Sequence, residues 1–324
     1  MGANPAVSFI ILNWNTKDLL LGCIGSIGKT VRNYPYEIWV VDNGSVDGSV
    51  NAVKETFPSP AHNIRIIENR RNAGFAGAMN PAMRLIESRY AVLLNSDVVL
   101  CDGAIDAMAD FMEQTPDAAL CSGQLLNADG TPQNSIAPFP SLLTELTNKS
   151  VLRRLAPSKY PGKETVFASP VPVDSVIGAC MMVRKSAMDA VGLLDEDYFF
   201  FFEETDWCLR FQKNGFKVYH VPQARIYHLQ GQSAGKVPVR SRIEYWRARY
   251  IYARKHWSIT ARIVLTAGLL VKAAVGLALN IVPWLFALVY LRPSQKRTNK
   301  AQLYGTLLVW HLLGRPASWG MSGK

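Results

Sequence analysis

Over the first 230 residues, short runs of consecutive apolar residues alternate with longer segments in which apolar positions recur every three or four residues. Residues 7–12, 37–41, 64–67, 90–94 and 118–121 have the length and the Val, Ile and Leu content of strands. The first, second and fourth are nearly unbroken, the pattern of a sheet covered on both faces. Helices are predicted near 17–29, 46–56, 74–88 and 103–114, between those runs. This alternation predicts an α/β fold with a doubly wound, mostly parallel sheet, whose ligands sit outside the carboxyl ends of the strands. A further strand is read at 173–183, helical segments at 185–191 and 203–214, and two short strands at 217–220 and 226–228. Between them, about 127–171 is rich in Pro, Ser, Thr and Asn and reads as a long excursion over the surface, as lids and acceptor-binding elements often are.

A different pattern begins near residue 236. The stretch 263–291 is the most apolar of the chain, interrupted by Lys272, Asn280 and Pro283 and bounded by Arg262 and Arg292. Charge changes the meaning of this stretch. Residues 1–230 hold 20 Lys+Arg and 24 Asp+Glu, net −4, whereas 231–324 hold 15 Lys+Arg and only Glu244, net +14. A basic, apolar region of this kind predicts contact with an anionic membrane surface and argues against nucleic acid, which would not need so much apolar surface. The interruptions favour helices that lie in or dip into the inner leaflet over a full crossing, with a homo-oligomer interface as the alternative. The second apolar run, 303–313 with Trp310, is too short to span and reads as another interfacial helix. A sheet domain over 1–235 and a helical region over 236–324 are therefore expected. Five scattered cysteines without a CxxC pair argue against a disulfide framework or a zinc site, and no basic n-region precedes the first strand, so folding is expected in the cytoplasm.

The polar residues at the strand ends carry the chemistry. Asn13-Trp14-Asn15-Thr16, Asp42-Asn43-Gly44-Ser45, Asn69 through Asn72 and Asn95-Ser96-Asp97 end four strands, and each alone would pass for a loop or helix cap. Together they line one crevice. Later, four aromatics at 199–202 lead directly into Glu203, Glu204 and Asp206. Carboxylates crowded in this way either favour a helix start or are kept together for a metal, a bound cation or proton-transfer chemistry.

These motifs, in order from about residue 6 to 235 and including the 178–184 and 202–210 segments, resemble glycosyltransferase family 2, especially its bacterial rhamnosyltransferase-like members. The resemblance implies a single Rossmann-like GT-A nucleotide-sugar domain, inversion at the anomeric carbon, a nucleotide-diphosphate sugar donor and a divalent cation, Mn²⁺ or Mg²⁺. It assigns Asp97 and His228 to the metal, and Asn13, Asn15, Asp42, Asn69, Asn72, Gly74, Phe75, Asn80, Asn95 and Ser96 to the donor nucleotide. Glu204 falls on the catalytic base and Glu203 on acceptor binding or loop orientation. Asp206 is expected to bond to helix-start amides or Arg210, and is the alternative base. Two departures stand out: Asn95 replaces the first Asp of the Asp-x-Asp metal motif, and Glu204 replaces the usual Asp, adding a methylene of reach. The apolar basic tail adds the expectation of a lipid-linked glycan acceptor at the cytoplasmic face of the inner membrane. L-Rhamnose from dTDP-L-rhamnose is the expected donor group, with UDP-sugars as alternatives. A nucleotidyltransferase or a non-catalytic carbohydrate-binding scaffold remains as a competing reading. The first would be expected to carry a Gly-rich basic phosphate loop after 7–12, which is missing, and the second would be expected to have lost the acidic and His motifs, which are present.

Overall fold

The computed structural model describes residues 5–58, 63–229, 237–290 and 295–322, and the chain forms two compact units. Met1–Phe139 with Leu155–Lys236 make the first, and Pro140–Arg154 with Val237–Lys324 the second.

In the first unit β1 (Val7–Asn13), α1 (Lys17–Thr30), β2 (Tyr36–Asp42), α2 (Ser49–Thr56), β3 (Ile64–Glu68), α3 (Gly74–Leu85), β4 (Tyr90–Asn95), β5 (Val98–Leu100), α4 (Ala104–Gln114) and β6 (Ala118–Leu126) follow one another. The sheet is parallel through β3-β2-β1-β4. Its faces are distinct because strand side chains alternate. Phe9 and Ile11 pack with Leu20, Cys23 and Ile27 of α1 and Met108 of α4, while Ile10 packs with Met79 and Met83 of α3. The register sets Asn13 beside Asp42 and Leu12 beside Asn95, so three strand ends finish level with one another.

Beyond β4 the sheet becomes mixed. Before it continues, the chain forms β7 (Ile136–Ala137), α5 (Leu142–Leu146), α6 (Lys149–Leu155), β8 (Val171–Pro172) and β9 (Ser175–Val176). The strand expected over 173–183 is therefore broken: β9 pairs with β7, and only β10 (Cys180–Arg184) enters the main sheet, antiparallel between β4 and β6. After α7 (Lys185–Val191) and α8 (Glu203–Lys213), β11 (Lys217–His228) runs as one strand with two register shifts where two short strands were expected. Its far end pairs antiparallel with β5, a strand the apolar pattern did not reveal.

The second unit gathers α5 with α9 (Pro238–His256), α10 (Ile259–Tyr290) and α11 (Gln295–Leu312). Residues 140–154, expected to run over the surface of the sheet domain, belong here for a physical reason. Glu145 is buried in an ion pair with Arg249 of α9 at 2.6 Å, its backbone carbonyl accepts from Lys272 Nζ of α10 at 3.2 Å, and Leu146 packs where Gly268 leaves no Cβ. Helix α10 continues past Asn280 and through Pro283, so the interruptions do not divide it. Asn280 bonds back to the Gly276 carbonyl at 2.7 Å. Its 24-residue segment Ile259–Val282 is long and apolar enough to cross a membrane, and little of it is buried. Helix α11 does not stand apart from α10, because Leu307 and Trp310 are buried against Leu265, Leu269 and Ala273.

Candidate active site

A chain of hydrogen bonds ties the strand ends into one floor. Asn13 Nδ2 donates to Asp42 Oδ1 at 2.8 Å and to Ser45 Oγ at 3.0 Å, and its Oδ1 accepts from Thr16 at 2.8 Å. Thr16 has spent its one hydrogen there, so at the 2.6 Å contact it is Ser96 that donates. Asn13 is fully buried and its amide hydrogens are used, so it orients Asp42 and Thr16 from beneath the crevice. Asp42 also accepts from Ser45 N at 2.9 Å, and Asn15, at φ +54°, accepts from Val46 N. Asn43 organises the neighbouring loop: its Oδ1 accepts from Asn69 Nδ2 and Ala73 N, and its Nδ2 donates to Asn72 Oδ1.

The 74–80 segment has a different part from the one expected. Gly74 has φ +80°, and a Cβ there would lie 2.3 Å from the Phe199 carbonyl, to which Phe75 N donates at 2.7 Å. The close approach is between α3 and the aromatic segment. The Phe75 side chain lies in the core, and Asn80 Nδ2 holds Leu194 O and Glu196, away from the strand ends.

Two further groups complete the site. Asp97 precedes β5, and the β5–β11 pairing brings it to His228, with Oδ1 and Nε2 3.5 Å apart and Leu229 N donating to the Asp97 carbonyl. Gln133 decides the state of that histidine. Its Nε2 donates to the His228 carbonyl at 2.6 Å and to Asn127 Oδ1 at 2.9 Å, with the Leu126 carbonyl also near at 3.3 Å, so its Oε1 faces His228 Nδ1 at 3.1 Å and accepts from it. The neutral ring then points the Nε2 lone pair at the carboxylate. Burial pushes His228 down against the opposing pull of Asp97, and pushes Asp97 up against that of His228. Two electron-rich atoms facing one another, with the imidazole oriented through its other nitrogen, suit a divalent cation. Among the described residues no three His, Cys, Asp or Glu side chains form a metal cluster, so these two would share the ion with ligands from elsewhere.

Glu204 sits in the first turn of α8, entered through Phe201 and Phe202 at φ +71° and +73°, a conformation bulky residues seldom adopt. Burial pushes its carboxyl up to about 7. A Cβ on Gly178 would lie 3.5 Å from the Glu204 side chain, and the adjacent Ala179 carbonyl accepts from Asn95 N at 3.0 Å. One turn of chain thus joins the end of β4 to the acidic helix start. Asp206 is committed elsewhere: Arg210 Nε donates to it at 2.7 Å, while Arg210 also holds the carbonyls of Val191 and Leu193. Glu203 is buried at the same helix start. Thr16, Asn43 and Ser45 stand among the strand-end residues expected to line the crevice, with no individual role legible in the sequence, and the hydrogen bonds supply one. Gln133 had no sequence signal, standing alone in the Pro-rich segment.

A family model described as glycosyl transferase family 2 matches residues 8–192. The chain belongs to glycosyl transferase family 2. The chain is a glycosyltransferase with a GT-A fold, as its relatives and structural neighbours also indicate. It is 26% identical over 265 residues, 74% of this chain and 85% of the relative, to N-acetylglucosaminyl-diphospho-decaprenol L-rhamnosyltransferase of Mycobacterium tuberculosis. The low-salt glycan biosynthesis hexosyltransferase Agl10 of Haloferax volcanii is 26% identical over 218 residues, covering 65% of this chain and 63% of the relative. A Pyrobaculum calidifontis mannosyltransferase solved with GDP-Man and Mn²⁺ superposes with a TM-score of 0.57 at 15% identity, covering 97% of this chain and 89% of that one.

Proposed function

We propose that this glycosyltransferase is inverting and cation-dependent, and moves a sugar from a nucleotide diphosphate to a hydroxyl of a lipid-linked glycan at the cytoplasmic face of the bacterial inner membrane, in cell-envelope polysaccharide synthesis. The carrying observation is Glu204, a carboxyl raised to about 7 at a strained helix start, where proton affinity matches working pH. As the acceptor oxygen bonds to the anomeric carbon and the bond to the diphosphate breaks, Glu204 takes the hydroxyl proton. Asp42, held by Asn13 and Ser45, would meet the nucleoside, and Asn95 and Ser96 the ribose or phosphate. Asp97 and His228 would hold Mn²⁺ or Mg²⁺, which when bound neutralises charge on the leaving diphosphate. Asp206 keeps α8 in place through Arg210.

L-Rhamnose from dTDP-L-rhamnose is the favoured donor group, supported by the M. tuberculosis relative's named activity, and that relative's diphospho-decaprenol substrate supports a lipid-linked acceptor. The membrane contact is supported by α10, whose Val264, Val271, Val275, Leu279 and Val282 are exposed large apolar residues spaced to share one face. Glu204→Gln is expected to lower transfer by about 10²- to 10⁴-fold while donor binding survives; wild-type turnover in that variant would falsify the base assignment. Thermal stabilisation across nucleotide sugars with Mn²⁺ or Mg²⁺ tests the donor.

A further inference from the structure

We propose that Asn43 is a positioning residue for transfer: from the loop after β2 it fixes, through a single peptide group, the turn of chain that presents Glu204. Asn43 is 2% exposed and its side chain is saturated. Its Oδ1 accepts from Asn69 Nδ2 at 3.2 Å and from Ala73 N at 2.9 Å, and its Nδ2 donates to Asn72 Oδ1 at 2.9 Å and to the Gly74 carbonyl at 3.2 Å. Two lone pairs and two hydrogens are the whole capacity of the side-chain amide, so nothing is left over for a substrate. Its part in the reaction is played through its partners.

The Gly74 carbonyl and the Phe75 N–H belong to one planar peptide group. Asn43 holds that plane at its oxygen, and at its nitrogen the plane donates to the Phe199 carbonyl at 2.7 Å. Turning the plane would break both bonds together, and each bond polarises the group in favour of the other. The position admits no side chain, because Gly74 has φ +80° and a Cβ there would run into the Phe199 carbonyl and ring. From Phe199 the chain leads through Phe201 and Phe202, at φ +71° and +73°, directly into α8 and Glu204. Such a turn costs conformational energy and persists only where the surrounding structure holds it, which the Phe75 N–H does at its start. On its other side Asn43 N donates to the Asn13 carbonyl at 2.8 Å, and Asn13 Nδ2 holds the neighbouring Asp42. One short loop therefore carries both the carboxylate proposed to meet the nucleoside and the amide that holds the turn before the base. Seating the donor and placing the base rest on the same element.

This inference rests on Glu204 as the base, and the experiment separates the two. Asn43→Asp keeps the acceptor half of the side chain, which holds Asn69 and Ala73, and loses both donations. Gly74→Ala leaves Asn43 intact and displaces Phe199 instead; where it does not fold, Asn43→Asp carries the test. The Glu204 carboxyl is titrated by ¹³C NMR in the full-length protein without ligand, its signal assigned by its loss in Glu204→Gln. The wild type should titrate near 7, and the variants should fall by about one pH unit or more toward 4.5, as the loosened turn lets water reach the carboxyl. Transfer from dTDP-L-rhamnose to a polyprenyl-diphosphate-linked glycan should lose about 10- to 100-fold in kcat. The Kd for dTDP-L-rhamnose with Mn²⁺, from titration calorimetry, should stay within about threefold. In a Glu204→Gln background the same substitutions should change the residual turnover by less than about twofold, since they act through a group no longer there. A Glu204 titration unmoved by the variants, a loss of donor affinity as large as the loss of turnover, or turnover losses that multiply with Glu204→Gln overturns the positioning role and leaves the base standing. A wild-type carboxyl titrating near 4.5, or wild-type turnover in Glu204→Gln, overturns the base and this inference with it.

Discussion

The two units both bury charged residues but differ in where they leave large apolar side chains. In the sheet unit the apolar residues are inside, with Phe9, Ile10 and Ile11 wholly buried, and the polar residues gather where the strands stop. In the helical unit long apolar side chains stay outside on α10, while charges lie within, as in the Glu145–Arg249 and Glu244–Arg247 pairs. Water alone explains the first arrangement. The second arrangement suits a helix whose outer face meets lipid, held to its neighbours by paired charges. The comparison teaches that exposed apolar surface and buried charge carry functional information, whereas a well-filled sheet core mainly reports the fold.

Four changes sharpen that contrast, from the largest expected effect downward. Glu145→Ala strands the buried Arg249 charge and should cost about 3–5 kcal/mol in the helical unit. Differential scanning calorimetry should show that loss while nucleotide-sugar binding by the sheet unit persists; a common loss of both would erase the distinction drawn here. Leu279→Glu, on the exposed face of α10, should weaken vesicle binding by about 3 kcal/mol, roughly a hundredfold. Its thermal stability in detergent should be nearly unchanged, since the side chain packs little within the protein.

Gln133→Ala frees the His228 ring to turn and should reduce Mn²⁺ affinity about 10- to 100-fold, read by titration calorimetry without acceptor. Vesicle binding should not change. An affinity equal to that of the wild type would remove Gln133 from the metal site.

The smallest expected effect concerns stability against pH. Glu204 has its carboxyl raised from 4.5 to about 7, so as pH climbs through that window the unfolded chain releases the proton while the folded one keeps it. Its contribution to stability is present at low pH and lost on the way to 7. Glu204→Gln lacks this loss, and should gain on the wild type by about 2 kcal/mol between acid and mildly alkaline pH, a value below the full shift because the residue is only partly buried. Denaturant melts at the two pH values measure the difference. Transfer by the wild type should fall about tenfold per pH unit below 7, because the base must be ionised.

By itself, the sequence determined the alternation of strand and helix, the polar strand ends, the ordered motifs of the family and the steep division of charge. All of these are local, since they depend on residue type and spacing of two or three and a half positions. What only the tertiary structure decided lies between distant segments. Asp97 and His228 meet because β5 pairs with the end of β11, although three apolar residues after a turn give β5 no periodic signature. Gln133 reaches His228 from a segment whose composition spoke only of irregular chain. Asp206 and Glu204, two positions apart, part company because Arg210 answers one while burial acts on the other. Phe199, legible in the sequence only as one of four aromatics before the acidic residues, sets how near α3 can come, since Gly74 leaves room for its carbonyl. Glu145 turned residues 140–154 toward the helical unit, because a buried carboxylate must find its cation wherever in the sequence that cation lies.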